Sequence, residues 1–324
     1  MSAVEAQAGH LAPPMKCVWA GSRLSEALVG SGAEPHTPVM LDEVLEWLGV
    51  KPDGTYIDAT LGAGGHSAAI ASRLTSGTLI SLDQDEQALA LAVERLKSFG
   101  TTVKLVESSF SRIAEVVHGL EIPGVDGVLA DLGVSSMQLD QAARGFSFRE
   151  AGPLDMRMAA GNELTADEIV NRWSEKEIAD TLYREAEEHD SRRIARAIVK
   201  ARPIRDTAHL ATVVAGARTQ WGRQRLHPAT KTFLALRIAV NREMEALGQF
   251  LSRTPATLNS GGRLVVLSYH SGEDRLVKRA FQEGERQGTL KVLTRHVIQP
   301  KEGEISANPR SRSAKLRCAE RVSE

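Results

Sequence analysis

The stretch from Tyr56 to Asp83 constrains this chain most. A strand, Tyr56-Ile57-Asp58, breaks into the turn Gly62-Ala63-Gly64-Gly65-His66, and a second strand, Leu79-Ile80-Ser81-Leu82, ends in Asp83. Glycines at such a turn let the backbone bend tightly and approach a ligand, and a carboxylate about 20 residues further on can accept hydrogen bonds from ribose hydroxyls. A plain tight turn between strand and helix uses the same glycines, so the turn alone does not choose a ligand. Two details do. Ser67 stands where G-x-G-x-x-G needs its third glycine, and Asp58 ends the first strand, pointing its charge at the space a dinucleotide pyrophosphate would fill. That carboxylate repels an anion and suits an ammonium or sulfonium group; S-adenosyl-L-methionine carries both. No Gly-Lys-Ser/Thr follows the glycines, which excludes a P-loop.

Further strands continue the pattern at Thr102 to Glu107, Val125 to Ala130 ending in Asp131, and Arg263 to Ser268. Helical stretches lie between the early ones, Asp42 to Leu48 and Asp85 to Lys97, the latter with Leu89, Val93 and Leu96 on one face. Alternation of this kind predicts an α/β fold with a parallel, doubly wound sheet, whose ligands sit at the carboxyl ends of the strands, where Asp58, Asp83, Asp131 and Ser268 to Asp274 fall. The pattern stops after Asp131 for more than a hundred residues. Thr165-Ala166-Asp167-Glu168 and Ser174-Glu175-Lys176-Glu177 read as capping boxes, and Thr207 to Ala217 and Thr230 to Leu251 as amphipathic helices. The expected organisation is a flexible extension over residues 1–35, a discontinuous sheet domain over 36–140 and 245–324, and an inserted all-α subdomain over 141–244.

With 42% hydrophobic and 25% charged residues, the chain has the composition of an ordinary globular protein, and no stretch approaches a membrane span. Its two cysteines, Cys17 and Cys318, stand at opposite ends, so neither a disulfide framework nor a four-ligand zinc cluster is expected, no metal is called for, and a reducing cytoplasm is the natural compartment. The net charge of −1 hides an uneven spread: Arg184 to Arg242 holds 13 Lys and Arg against five Asp and Glu, and Ile305 to Glu324 holds five against two. Two basic segments in a near-neutral chain suit a polyanion bound on one face, or two well-solvated helical faces. Arg192, Arg193, Arg196, Lys200, Arg223, Arg225 and Lys231 lie in the insertion, which makes it the expected substrate clamp.

The loop Asp131-Leu132-Gly133-Val134-Ser135-Ser136-Met137-Gln138 follows the fourth strand. An enzyme that methylates an exocyclic amine needs a hydrogen-bond acceptor at such a strand end, to aim the amine lone pair along the line of the sulfonium methyl. Asp131 suits that place, and equally suits a helix cap or turn. Phe146 and Phe148, in Arg144-Gly145-Phe146-Ser147-Phe148, could stack on an extruded base or fill a core.

These segments, with His36-Thr37-Pro38-Val39-Met40-Leu41-Asp42-Glu43-Val44, Gly152-Pro153-Leu154-Asp155-Met156-Arg157-Met158, His227-Pro228-Ala229-Thr230-Lys231, Ser268-Tyr269-His270-Ser271-Gly272-Glu273-Asp274 and Asn308-Pro309-Arg310-Ser311-Arg312-Ser313, resemble the bacterial 16S ribosomal RNA cytosine-N4 methyltransferases, the RsmH/MraW family. The resemblance covers about His36 to Arg321. It implies a class I S-adenosyl-L-methionine-dependent methyltransferase fold (Rossmann-like) with a helical insertion, and N4-methylation of a cytidine in the decoding centre of 16S rRNA within the small ribosomal subunit. It further implies that Gly64, Gly65 and His66 line the donor, that Asp83 holds its ribose, that Phe110 packs near adenine, and that Asp131 and Gln138 complete the site. Ala63 and Ala59 depart from the family's usual residues without touching those roles. The residues leave oligomeric state open, a homodimer included.

Direct in-line transfer is the expected mechanism, with Asp131 accepting a hydrogen bond from the amine and His270 as proton acceptor, although a histidine there equally serves as a hydrogen-bond partner. Two rival classes stand beside it. A nucleotide-dependent oxidoreductase is disfavoured by Ser67 and Asp58, and a non-catalytic RNA-binding assembly factor by the retained acidic cofactor positions. A methyltransferase acting on another nucleic-acid amine is the nearer alternative.

Overall fold

A computed structural model describes residues 17–20, 38–218 and 227–323. One eight-stranded sheet organises the chain. Its strands are β1 (Cys17–Trp19), β2 (Thr55–Asp58), β3 (Thr78–Asp83), β4 (Val103–Glu107), β5 (Val125–Asp131), β6 (Leu258–Ser268), β7 (Leu290–Val292) and β8 (Lys315–Arg321), in the order β1-β4-β3-β2-β5-β6-β8-β7. Strands β2 to β6 run parallel, and β8 is reversed between β6 and β7. The parallel strands are covered on both faces, so they read as near-continuous apolar runs such as Leu79 to Leu82, all buried.

Helices α1 (Leu41–Leu48), α2 (Gly65–Ala71), α3 (Glu86–Leu96), α4 (Ile113–Gly119) and α5 (Ser136–Asp140) connect the first strands. Asp85 caps α3 by accepting from Gln87 N at 3.0 Å. After β5 the chain leaves the sheet for α6 (Ala166–Arg172), α7 (Glu175–Ala186), α8 (Ser191–Lys200), α9 (Thr207–Ala217) and α10 (Thr230–Asn241). These pack on a core of their own, including Ile169, Ile178, Leu182, Ile194, Leu210 and Leu236, separate from the two cores on either face of the sheet. Phe146 is buried in it, and the Phe148 ring meets the rings of Phe233 and His227 at 4.8 and 4.6 Å. Both phenylalanines are core, and base stacking is not their place. Helices α11 (Glu243–Thr257), α12 (Ser271–Arg286) and α13 (Glu302–Ala307) complete the sheet domain.

Four sequence expectations change. Part of the extension is structured: Cys17–Trp19 adds an antiparallel edge to β4, while residues 1–16 and 21–35 lie outside the described residues, as do Arg223 and Arg225. The helix expected over Thr230 to Leu251 is two helices, broken where Arg242 takes φ 51°. Glu243, just beyond the break, accepts two hydrogen bonds from Arg237, both 2.8 Å. Thr165 caps α6 through Glu168 N without the reciprocal bond, so of the two expected capping boxes Ser174 with Glu177 alone is complete. The basic C-terminal stretch is largely internal: β8 buries Leu316, Cys318 and Ala319, and Arg317 bonds Asp274 at 2.7 Å. The Arg317 charge balances Asp274 rather than waiting for a polyanion, whereas Arg312 stands exposed.

Candidate active site

The strand order reverses between β2 and β5, the point where an open α/β sheet leaves a crevice at its carboxyl edge. A cavity of about 650 Å³ opens there, lined by Leu61 to Ala63, Gly65 and His66 from the turn, Asp83 from β3, Phe110 after β4, Asp131 from β5, and Gln138. Tyr269 closes one side, and Arg237 and Arg310 reach it from the insertion and the chain's end. The volume is that of a small-molecule site.

Local chemistry shapes the turn. Leu61 N bonds Leu82 O at 2.8 Å, carrying the β2–β3 pairing into the loop. Gly65 is required because a Cβ there would lie 2.5 Å from Pro38. Gly64, at φ 76°, is required for its backbone, and its Cα side faces Ala92 and Leu96 rather than the cavity. Of the three expected donor contacts in the turn, Gly65 and His66 line the cavity and Gly64 does not.

Asp83 ties the two loops together: Oδ2 accepts from Gly62 N and Oδ1 from Asp85 N, each at 2.9 Å. Burial pushes its pKa up to about 6, with Asp85 and Asp58 adding like charge and the two N–H donors opposing. Each oxygen keeps a lone pair for a ribose hydroxyl. Gln138 is buried and occupied, its Nε2 donating to Asp85 at 2.8 Å and its Oε1 accepting from Ser135 N. Arg144 bonds the same Asp85 oxygen at 2.8 Å and also Arg157 O and Met158 O, joining the cofactor loop to the start of the insertion. Phe110 sets its ring edge-on to Phe250, 5.5 Å away.

Asp58 sits differently from expectation. Its side chain is 1% exposed and accepts from Ser67 Oγ at 2.6 Å and Thr60 N at 3.2 Å, so it braces the turn from behind and lines no cavity. Ser67, where a dinucleotide fold has glycine, is its hydrogen-bond donor. The carboxylates that face the cavity are Asp83 and Asp131.

Asp131 is held on three sides. Its backbone N donates to Thr60 Oγ1 at 2.6 Å, Tyr269 OH donates to Oδ1 at 2.6 Å, and His66 Nδ1 lies 3.6 Å from Oδ2. Burial raises its pKa, opposed by His66 and Tyr269. His270, one residue past Tyr269, is absent from the lining: it is the N-cap of α12, with Nδ1 accepting from Gly272 N and Glu273 N and Nε2 3.2 Å from Glu273 Oε1. Nδ1 is engaged within that first turn and Nε2 is buried beside Glu273, outside the cavity, which removes His270 from proton transfer at Asp131. Sequence reasoning chose the histidine of this loop and missed the tyrosine; the alternation of Ser268-Tyr269-His270 did not say which would face the cavity.

Sheet order, reversed β8 and the cavity carboxylates Asp83 and Asp131 at the ends of β3 and β5 together define a class I S-adenosyl-L-methionine-dependent methyltransferase. The residues fit that donor, whose bound form supplies an electrophilic methyl group. The sequence profile of the MraW methylase family matches residues 33–322. Proteins called ribosomal RNA small subunit methyltransferase H are similar throughout. That of Gloeobacter violaceus is 52% identical over 289 residues, covering 89% of this chain and 88% of the relative. That of Acidobacterium capsulatum is 50% identical over 293 residues, 89% of this chain and 99% of the relative. That of Dehalococcoides mccartyi is 48% identical over 307 residues, 90% and 87%. The chain belongs to the MraW methylase family, a family of ribosomal RNA methyltransferases.

Proposed function

We propose that this protein methylates N4 of a cytidine in the decoding centre of 16S rRNA, within the small ribosomal subunit, by direct in-line transfer from S-adenosyl-L-methionine. The observation that carries the reading is Asp131: an acceptor fixed by Tyr269 and Thr60 at the carboxyl end of β5, beside the turn that holds the donor. A hydrogen bond from an exocyclic N–H to Oδ2 leaves the nitrogen lone pair directed into the cavity, and alignment of this kind accounts for several orders of magnitude in rate without a covalent intermediate. Gly65, His66, Asp83, Phe110 and Gln138 form the donor side of the cavity wall, with Gly64 setting the turn behind it.

Residues 36–140 with 245–324 act as the transfer unit and residues 141–244 as the RNA clamp. Arg192, Arg193, Arg196 and Lys200 all stand exposed on α8, opposite the buried Ile194, Ala195 and Ile198, and form a cationic ridge for phosphates. Tritium transfer from labelled donor to small subunits tests the reading. Wild type labels the RNA and Asp131→Ala does not, although both bind the donor; an Asp131→Ala protein that labels at the wild-type rate contradicts it. A binding-only assembly factor would protect RNA without labelling it.

A further inference from the structure

One oxygen of Asp131 is gripped by a hydrogen bond, and the other faces a histidine nitrogen just beyond hydrogen-bond length. Tyr269 donates its hydroxyl to Oδ1 at 2.6 Å. On the other side His66 Nε2 lies 3.0 Å from Val39 O, which can only accept, so Nε2 carries the hydrogen. In a neutral imidazole Nδ1 is then a lone pair facing Oδ2 of a carboxylate across 3.6 Å: two acceptors with room for one proton between them. His66 is 6% exposed, and nothing else in the turn offers that proton.

We propose that His66 and Asp131 form a proton-accepting pair that takes the hydrogen lost by the substrate amine during methylation. The inference rests on the reading of the site as an amine methyltransferase. As the bond between amine nitrogen and methyl carbon forms, the bond between that carbon and sulfur breaks with its electrons passing to sulfur. One N–H proton passes to Asp131 Oδ2 and is shared with His66 Nδ1, so the positive charge that leaves the sulfonium reappears on the pair. The lone pair of an aromatic amine is delocalised into its ring; removing the proton as the methyl moves returns that density to nitrogen, which is general-base assistance. Asp131 touches the amine, and His66 is a positioning residue acting through it. The charged and titratable groups facing the pair are Asp58 from β2, Tyr269 after β6, Glu273 from α12, Glu304 from α13, and Arg237 from α10 at the cavity wall. Three of the five are carboxylates, which favour a proton held at the pair.

Two readouts test it. In the ligand-free protein, the Asp131 carboxyl carbon is followed by NMR across pH in wild type, His66→Gln and Tyr269→Phe. Each substitution removes a neighbour that holds the carboxyl down against burial, so each midpoint rises. In single-turnover methylation of small subunits at saturating donor, His66→Gln lowers the plateau about 100-fold and displaces the acid limb, and Tyr269→Phe moves the limb to higher pH. Profiles of both variants that superimpose on wild type after scaling, or an Asp131 titration indifferent to His66→Gln, overturn the pair. Scaling removes any loss of folded fraction. Nuclease digestion of the same products separates the two readings: a methyl on another nucleobase amine defeats the cytosine assignment and leaves the pair standing, whereas absence of any transfer by wild type defeats both.

Discussion

At the residue scale, the site depends on carboxylates whose burial is made tolerable by a few donors. Asp83 ionises near pH 6, so donor binding is expected to weaken roughly tenfold per pH unit below about 6, where an ordinary aspartate would hold affinity to about 4. Calorimetric titration with S-adenosyl-L-methionine from pH 5 to 8 checks this. The sign for folding is opposite to the usual carboxylate: a pKa raised in the folded state contributes stability present at low pH and lost as pH rises through 6. Asp83→Asn therefore removes the loss of stability through pH 6 but turns an amide NH2 toward one of the two backbone donors, costing about 1 to 3 kcal/mol at pH 5, and abolishes tight donor binding. Ser67→Ala strips the 2.6 Å donor from buried Asp58 and costs about 1 to 3 kcal/mol, read by denaturant unfolding. Sequence made Asp83, Gly65, His66 and Asp131 legible because strand ends and turns announce themselves. It misplaced Asp58, since a strand's alternation shows which residue ends it but not whether a serine nine residues later will claim its charge. Tyr269 escaped because choosing between adjacent loop residues needs the cap geometry that commits His270 to α12.

At the element scale, the parallel strands and α1, α3 and α9 were readable from periodicity and caps, whereas β1, β7, and the break between α10 and α11 were not. The short edge strands β1 and β7 span three residues each and owe their form to a neighbouring strand. The break at Arg242 depends on tertiary partners: Arg237 on Glu243, and Asn241 Nδ2 on Met156 O at 2.8 Å. Charge along an element was the least reliable guide, as β8 and α8 illustrate. Arg317→Ala is expected to destabilise the fold by about 1 to 3 kcal/mol by leaving Asp274 with Lys315 alone, 3.7 Å away, with RNA affinity unchanged once folded protein is counted. Arg192→Ala with Arg193→Ala should leave stability within about 0.5 kcal/mol and reduce the salt dependence of RNA binding by about 1.5 in log–log slope. Filter binding from 50 to 300 mM salt distinguishes a phosphate contact from a solvated face.

At the scale of the whole molecule, one sheet edge brings together what the chain keeps far apart. The glycine turn, Asp83 and Asp131 come from the ends of β2, β3 and β5, Tyr269 returns from beyond the insertion, and Arg310 reaches the cavity while pairing with Asp140 at 2.8 Å. The insertion has its own core yet is joined by Arg144 to the loop after β3, which ties the inserted helices to the cavity wall. Among the described residues no helix is long and apolar enough to cross a membrane. Topology of this order was legible from strand–helix alternation; the approach of Tyr269 to Asp131 and of Arg310 to the cavity was not, because alternation does not show which way loop residues past a strand end will face. The most direct test of the account is mass spectrometry of 16S RNA fragments and nucleosides after reaction of the purified protein with unmethylated small subunits. The account predicts N4-methylcytidine at a single decoding-centre position, lost with Asp131→Ala; a methyl group on cytosine C5, on a ribose, or outside the decoding centre would contradict it.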